Sequence, residues 1–241
     1  MIPRRAMVLA AGYGLRLRPI TLSRPKPLVA VGGRTMLDRA LDALATVGVA
    51  EAVVNGHYLR EQIAASLAER SRAGLPPHTM LSDEEVLLDT GGGIKKALPL
   101  LGSAPFLAIN ADIVWQDGAR PALQRLADAF DPSRMDALLL MVTRDTAVGF
   151  EGPGDFFMGD DGRLKRRGDA ASAPYVYAGL QMLAPHIFDG APEGPFSLNR
   201  LYDRAAAAGR LFGLVHDGAW YHVGTPDALD EADRLLSAGA K

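Results

Sequence analysis

The chain has 241 residues, of which 48% are hydrophobic, and its formal net charge at pH 7 is -2. This length suits one large α/β domain, and the hydrophobic content favours a packed core over disorder. The small net charge argues against a nucleic-acid partner. No apolar stretch approaches the roughly 20 residues that span a bilayer, so we expect no membrane partner.

The chain contains no cysteine, which excludes a disulfide framework and thiolate chemistry. This fits a reducing compartment, and we expect a cytoplasmic protein. A signal peptide is the alternative interpretation of the N-terminus, where two arginines precede an apolar run. That run ends at Ala11 and is too short for the core of a signal peptide.

Apolar runs alternate with helical patterns over the first 143 residues. Strands are predicted at 6–10, 52–54, 78–81, 106–109 and 137–142, and helices at 37–47, 59–70, 94–101 and 121–130. We expect Pro99 to break the third of these helices. The alternation predicts an α/β fold with a Rossmann-like, mostly parallel sheet flanked by helices. Ligands bind such sheets beyond the carboxyl ends of the strands.

The pattern changes after about Thr143, where aspartate, glycine and aromatic residues become more frequent. Short strands at 155–158, 163–167 and 175–183 predict an antiparallel excursion that could cover a site. A helix at 198–208, a strand at 211–215 and a helix at 226–237 complete the prediction. There is no internal repeat or low-complexity linker, which indicates one domain over residues 1–241 with an elaborated second half.

The N-terminal segment is basic and rich in glycine. No acidic residue precedes Asp38, whereas seven lysines and arginines do. Directly after the first strand comes Leu-Ala-Ala-Gly-Tyr-Gly-Leu-Arg-Leu-Arg-Pro, residues 9–19. Glycines at 12 and 14 allow a sharp turn that points N–H groups at an anion, the small Ala10 and Ala11 admit a flat base or ribose, and Arg16 can clamp phosphate. A tight turn with an exposed arginine is the alternative.

Two other nucleotide-binding motifs do not fit this segment. A dinucleotide fingerprint requires a small residue where Leu17 stands and an acidic residue where the second strand ends at Asn55. A P-loop requires Gly-Lys-Ser/Thr, which is absent. These departures disfavour a nucleotide-linked oxidoreductase.

Two charged residues have the surroundings of a phosphate-transfer site. Lys26 lies between two prolines, which fix the backbone around a positive charge. Asp112 belongs to the segment Asn-Ala-Asp, residues 110–112, which ends the strand 106–109, and this is a position suited to a Mg²⁺ ligand. A solvated turn and a capping aspartate are the respective alternatives.

Two further motifs are less specific. The segment Asp-Thr-Gly-Gly-Gly-Ile, residues 89–94, precedes a helical pattern, and three glycines allow close backbone approach to a ligand at a helix N-terminus. A flexible turn is the alternative. His222 lies shortly before a helix start at Thr225 and Pro226, and it is a ligand, a phosphate contact or, by default, a packed side chain.

In this order, the motifs resemble those of the sugar-1-phosphate nucleotidyltransferases, over Ala6 to about Leu235. The short length and the segments 90–94, 97–102 and 104–107 look most like the branch that makes UDP-N-acetylmuramate from UTP and N-acetylmuramate 1-phosphate in peptidoglycan recycling. The glucose- and mannose-1-phosphate enzymes and the phosphocholine cytidylyltransferases share the first half and are alternatives.

The resemblance implies two partners, a nucleoside triphosphate (UTP favoured) and a sugar 1-phosphate, and leaves the oligomeric state open. It implies a nucleotide-binding half at about 1–143 and a sugar-binding half at about 144–241. The implied contacts are Ala10, Ala11 and Gly12 for the nucleoside, Gly14 and Arg16 for the triphosphate, Lys26 for the α-phosphate, Asn55, Thr90, Gly91 and Gly92 for the nucleotide, Asp112 for Mg²⁺, and Asp155, Tyr177 and Gly179 for the sugar.

One position departs from the family pattern. The family usually has an aspartate before Val-Gly-Thr as a second metal ligand, and here that residue is His222. Either His222 binds the metal, or Asp112 holds it with more water and phosphate. Because Mg²⁺ prefers oxygen, we expect the second, with Mn²⁺ as a possible substitute. A non-catalytic nucleotide-sugar sensor is the remaining alternative, and the joint presence of Arg16, Lys26 and Asp112 argues against it.

Overall fold

A computed structural model describes residues 1–238 of the chain. Its strands are β1 (Arg5–Leu9), β2 (Ala30–Val31), β3 (Arg34–Thr35), β4 (Glu51–Gly56), β5 (His78–Asp83), β6 (Phe106–Asn110), β7 (Val114–Trp115), β8 (Ala137–Thr143), β9 (Ala147–Val148), β10 (Phe156–Met158), β11 (Leu164–Arg166), β12 (Tyr175–Leu183), β13 (Leu211–Val215) and β14 (Trp220–Tyr221). Its α-helices are α1 (Met36–Thr46), α2 (Arg60–Arg72), α3 (Asp89–Leu101), α4 (Ala122–Ala129), α5 (Asn199–Ala207) and α6 (Pro226–Ala238).

The described residues form a nine-stranded central sheet in the order β11-β10-β12-β6-β1-β4-β5, with β8 beside β12 and β13 beside β8. β1 pairs in parallel with both β4 and β6, and β5 continues this parallel arrangement beside β4. β12 runs antiparallel to β6 and to β8. The predicted α/β class, with a parallel first half and an antiparallel excursion, is confirmed.

Apolar side chains on both faces of the sheet explain why these segments form strands and helices. The interior of β1 is buried throughout, as expected for a parallel strand covered on both faces. On one face, α1 packs through Leu37, Leu41 and Leu44, which recur at helical spacing. Thr35 begins this helix by accepting a 3.0 Å hydrogen bond from the N–H of Asp38. On the opposite face, α3 and α5 cover the sheet.

α3 ends at Leu101 as predicted but differs from its prediction at its start and at Pro99. It begins at Asp89 rather than Ile94, so the three glycines lie within its first two turns. Pro99 lies inside the helix and does not break it. A proline removes one backbone hydrogen bond, and here the helix continues for only two residues beyond it, to Leu101.

Two small sheets were not predicted, because strands of two residues are too short to show a period. β2 pairs with β3, and the sheet β7-β14-β9 joins the chain just after Asp112 to the chain just before His222. Distant parts of the sequence thereby meet near the end of β6. Among residues 1–238, no helix combines the length and apolarity that a bilayer crossing requires.

Candidate active site

A cleft of about 590 Å³ opens where β1, β4 and β6 end. Since these strands are parallel neighbours, the loops that follow them meet at one edge of the sheet. The predicted residues that line this cleft are Ala10, Ala11, Gly12, Gly14, Arg16, Lys26, Asn55, Thr90 and Asp112. The nucleotide and metal roles of these residues stay predictions, but the structure brings their positions together.

The glycine loop after β1 contains two glycines with different surroundings. Gly14 has a φ of 61°, and a Cβ there would lie 2.9 Å from the Cβ of Lys26, so the backbone excludes other residues. A Cβ on Gly12 would meet nothing within 4 Å, and its φ is ordinary. Packing therefore does not explain Gly12, whereas space for a ligand would. Arg16 is exposed beside this loop, and within residues 1–238 its guanidinium donates no hydrogen bond.

Lys26 and Asp112 form an ion pair at the base of the cleft, with 2.9 Å between Nζ and Oδ2. The side chain of Lys26 is only 8% exposed, while that of Asp112 is 43% exposed and faces the cleft. Burial raises the pKa of the Asp112 carboxyl, but the Lys26 ammonium and the positive charges of His222 and Arg16 together more than offset this, so the pKa lies below its ordinary value. Asp112 therefore carries a negative charge at neutral pH.

Asn55 closes the cleft floor through hydrogen bonds within the protein. Its Oδ1 accepts a 2.7 Å hydrogen bond from the N–H of Ala10, and its Nδ2 donates a 2.7 Å hydrogen bond to Glu84 Oε1. Asn55 is 2% exposed, so its amide is largely committed to these two partners. The predicted nucleotide contact of Asn55 stays a prediction, and the structure gives the side chain a supporting role.

The glycines at 91 and 92 in α3 are explained by packing within the protein and not by the predicted approach of a ligand. A Cβ at Gly91 would lie 2.3 Å from the ring of Phe196, and one at Gly92 would lie 2.4 Å from the carbonyl oxygen of Gly194. Both N–H groups already donate to the carbonyl of Phe196, so they are not free for an anion. The glycines admit the 194–196 segment, and of the segment 89–94 only Asp89 and Thr90 line the cleft.

The predicted sugar contacts lie outside the cleft lining. Asp155 accepts a 3.0 Å hydrogen bond from the N–H of Tyr177. Gly179 has a φ of 82° and lies in a β-bulge of β12, against Ile113. The Tyr177 hydroxyl is buried without a hydrogen-bond partner among the described residues, and burial raises its pKa well above the ordinary value. Local backbone structure accounts for Asp155 and Gly179, whereas Tyr177 keeps an unused polar group.

A family model described as Nucleotidyl transferase matches residues 5–150. The chain belongs to the nucleotidyl transferase family. Across 236 residues it is 44% identical to the N-acetylmuramate alpha-1-phosphate uridylyltransferase of Caulobacter vibrioides, covering 98% of each chain. The Neisseria meningitidis enzyme of the same name is 33% identical, covering 97% of this chain and 99% of that one. These relatives confirm membership of the sugar-1-phosphate nucleotidyltransferases.

A solved structure of UDP-glucose pyrophosphorylase with UDP-glucose superimposes with a TM-score of 0.81 at 17% sequence identity. The match covers 99% of this nucleotidyltransferase and 100% of that chain. At this identity the likeness establishes the fold alone.

His222 of the nucleotidyltransferase is held in one orientation. Its ring stacks on Trp220 at 5.9 Å between centroids, and Nδ1 donates a 3.2 Å hydrogen bond to the carbonyl of Gly149. Burial lowers the pKa of His222, and the charges of Lys26 and Arg16 lower it further. The neutral ring with its proton on Nδ1 leaves Nε2 with a free lone pair, as a metal ligand requires.

Several residues of this site are not predictable from the sequence alone. Leu87, Asp89 and Asn110 line the cleft of the nucleotidyltransferase. Asp89 and Asn110 belong to recognised motifs but were not singled out. Asp89 has a φ of 58°, which is uncommon for a residue other than glycine, and nothing in the sequence indicates it. The burial of Glu84 is not predictable from the sequence, because two adjacent acidic residues, Glu84 and Glu85, are typical of a solvent-exposed segment.

Proposed function

We propose that this nucleotidyltransferase joins UTP to N-acetylmuramate 1-phosphate, giving UDP-N-acetylmuramate and pyrophosphate. The observation that carries the reaction class is the convergence of Arg16, Lys26 and Asp112 on one cleft beside a glycine loop. The choice of substrates rests on the names of the two relatives that match the chain nearly end to end. A cytoplasmic role in peptidoglycan recycling follows from that choice.

The chemistry requires positioning and charge neutralisation rather than a general base. A sugar phosphate is largely a dianion near neutral pH, since its second pKa is about 6. One of its oxygens attacks the α-phosphorus in line, the new P–O bond forms, and the bond to pyrophosphate breaks. Arg16 binds the outer phosphates, and Lys26 stabilises the charge that develops on the α-phosphate.

The carboxylate of Asp112 fits a hard divalent cation, and the imidazole of His222 fits a softer one. Asp112 offers an exposed carboxylate oxygen, and His222 offers Nε2. Mg²⁺ commonly uses one or two protein ligands and completes its shell with phosphate and water oxygens. Asp112 would hold the ion, with His222 as a secondary ligand that also suits Mn²⁺. When bound, the ion neutralises phosphate charge and orients the triphosphate.

Tyr177 supports the sugar assignment. Its hydroxyl is a buried polar group that lies near Tyr202 but makes no hydrogen bond of good geometry within residues 1–238, and the Asp112 charge acts on it. A sugar bound beside the α-phosphate would supply a hydrogen-bond partner. We assign sugar binding to the segment from Tyr177 to Gly179 in the second half of the chain, and nucleotide binding to the first half.

Pyrophosphate release tests the proposal. The purified protein is given each of UTP, dTTP, CTP, GTP and ATP with Mg²⁺, against 1-phosphates of N-acetylmuramate, N-acetylglucosamine, glucose and mannose, and against phosphocholine. We expect rapid release only from UTP with N-acetylmuramate 1-phosphate. Release from another pair would replace the substrates and keep the mechanism. No release with any pair, with Mg²⁺ or Mn²⁺, would favour a non-catalytic sensor.

A further inference from the structure

Glu84 is a buried carboxylate without a cationic partner. It directly follows β5 and is 1% exposed, and within residues 1–238 no lysine, arginine or histidine forms a salt bridge with it. Acidic side chains are rarely buried so completely unless they are paired. Its two oxygens instead accept hydrogen bonds from Asn55 Nδ2 at 2.7 Å and from the N–H of Leu88 at 2.9 Å.

These contacts form a chain of hydrogen bonds with a fixed direction. The N–H of Ala10 donates to Asn55 Oδ1, Asn55 Nδ2 donates to Glu84 Oε1, and the N–H of Leu88 donates to Glu84 Oε2. Both ends are backbone donors, so the two side chains between them must present three acceptor oxygens and one NH₂ group. An amide and a carboxylate meet this requirement in one orientation, since reversing the amide would set its NH₂ against the N–H of Ala10.

The chain of hydrogen bonds joins three parts of the cleft. Ala10 lies at the end of β1, Asn55 lies in β4, and Leu88 lies in the loop that leads to Thr90. The helix α3 leaves room for the pair, because a Cβ at Gly93 would lie 2.7 Å from Glu84 Oε1 and 2.8 Å from Asn55 Nδ2. The third glycine of the run is therefore explained by this contact.

We infer that Glu84 is a positioning residue for the nucleotide, acting through Asn55 and Leu88 without lining the cleft itself. It sets the distance between the glycine loop and the first turn of α3, which carries Thr90. These are the two walls between which a nucleoside would lie. The inference rests on the proposed function only in that the cleft must bind a nucleoside triphosphate.

The substitution Glu84→Gln tests the direction of the network. A glutamine offers one acceptor where two are needed, so one donor must face another donor or lose its partner. We expect the KM for UTP, and the Kd for UTP with Mg²⁺ from calorimetry, to rise about tenfold. The KM for the sugar 1-phosphate should stay within about twofold of wild type, because the substitution leaves the segment proposed to bind the sugar unchanged.

The swap of the two side-chain types is the decisive variant. Asn55→Asp alone sets two carboxylates against each other and should also weaken UTP binding about tenfold. In the double variant Asn55→Asp with Glu84→Gln, every donor again faces an acceptor. Independent effects would multiply to about a hundredfold, whereas a restored network should bring the Kd for UTP within about threefold of wild type.

Glu85→Gln is the matched control, since it makes the same change at the adjacent exposed position. We expect it to leave both KM values unchanged. If Glu84→Gln does not fold, Gly93→Ala is the second variant, because its methyl group would displace Asn55 and Glu84 from the side of α3. It should raise the Kd for UTP and leave the KM for the sugar 1-phosphate unchanged. Two results would overturn this inference. One is a Kd for UTP in Glu84→Gln equal to that of wild type. The other is an increase in the Kd of the double variant equal to the product of the increases in the two single variants. A wild-type protein that binds no nucleotide would overturn the proposed function as well.

Discussion

At the residue scale, the surroundings of Lys26 hold its positive charge in a fixed position beside the cleft. The side chain is almost fully buried, its backbone is fixed between two prolines, and Gly14 leaves just enough space beside it. The only acidic side chain that pairs with it in the described part of the chain is Asp112. A group held in this way needs little reorganisation when charge develops on a phosphate.

We therefore expect Lys26→Met to lower kcat/KM by about a hundredfold or more, the usual effect of removing one preorganised donor. Steady-state pyrophosphate release measures this effect. Lys165→Met, on an exposed strand of the second half, should retain wild-type activity. A loss of less than about threefold in Lys26→Met would remove this residue from the mechanism.

His222→Asp restores an oxygen ligand at the position that departs from the family pattern. We expect the Mg²⁺ concentration for half-maximal activity to fall about tenfold, and the activity ratio of Mn²⁺ to Mg²⁺ to fall with it, because Mg²⁺ prefers carboxylate oxygen to imidazole nitrogen. Mn²⁺ binding followed by electron paramagnetic resonance gives a second readout. His78→Asp is the exposed control. An unchanged metal requirement would mean that residue 222 does not contact the ion.

The individual residues differ in how far the sequence predicted them. Lys26 and Asp112 were predictable because proline brackets and a strand end are local signals. Glu84 was not, because its burial depends on Asn55, 29 residues earlier, and on the helix that packs over both. Asp155 and Gly179 were proposed from resemblance, and their hydrogen bond and bulge depend on pairing between distant strands.

At the element scale, α3 is a helix whose composition opposes its structure. Glycine costs about 1 kcal/mol relative to alanine inside a helix, so the run 91–93 predicts a later start. The observed start at Asp89 is set by packing against Phe196, Gly194 and Glu84, which the sequence does not reveal. In contrast, β12 and β13 have the predicted bounds, because continuous apolar runs indicate their ends directly.

Two glycine substitutions should separate these roles. Gly91→Ala gains helix propensity but places a methyl group 2.3 Å from the Phe196 ring, so we expect a loss of about 1–3 kcal/mol in the free energy of unfolding. Gly12→Ala meets open space and should keep wild-type stability while raising the KM for UTP. Urea unfolding and steady-state kinetics of both variants measure these effects. Equal stability of the two variants would contradict the packing role of Gly91.

At the scale of the whole molecule, the two halves of the chain share one sheet. β8 ends at Thr143, where the sequence changes character, yet both of its neighbours, β12 and β13, come from the second half. β12 in turn pairs with β6, which carries the chain to Asp112. Sequence composition located the change but not the pairing, because strand neighbours are chosen by contacts far apart in the chain.

The stability of the molecule should depend on pH through His222. Its pKa lies below the ordinary value of about 6.5 in the folded protein, so the unfolded chain binds the proton more readily. Its contribution to stability is complete above pH 6.5 and is lost as the pH falls through the folded-state pKa. We expect the unfolding free energy of wild type to fall more than that of His222→Gln between pH 7.5 and 5. Parallel curves in urea unfolding would contradict this.

The pairing of Lys26 with Asp112 has a consequence for the order in which ligands arrive. In the free protein each charge neutralises the other, so a bare triphosphate must compete with Asp112 for the ammonium. If Asp112 held a cation, the Lys26 ammonium would be free to face a phosphate instead of its carboxylate partner. Cation and nucleotide would then bind with positive thermodynamic coupling, each increasing the affinity for the other by the same factor. The ion pair would thereby favour the metal–nucleotide complex over either component alone.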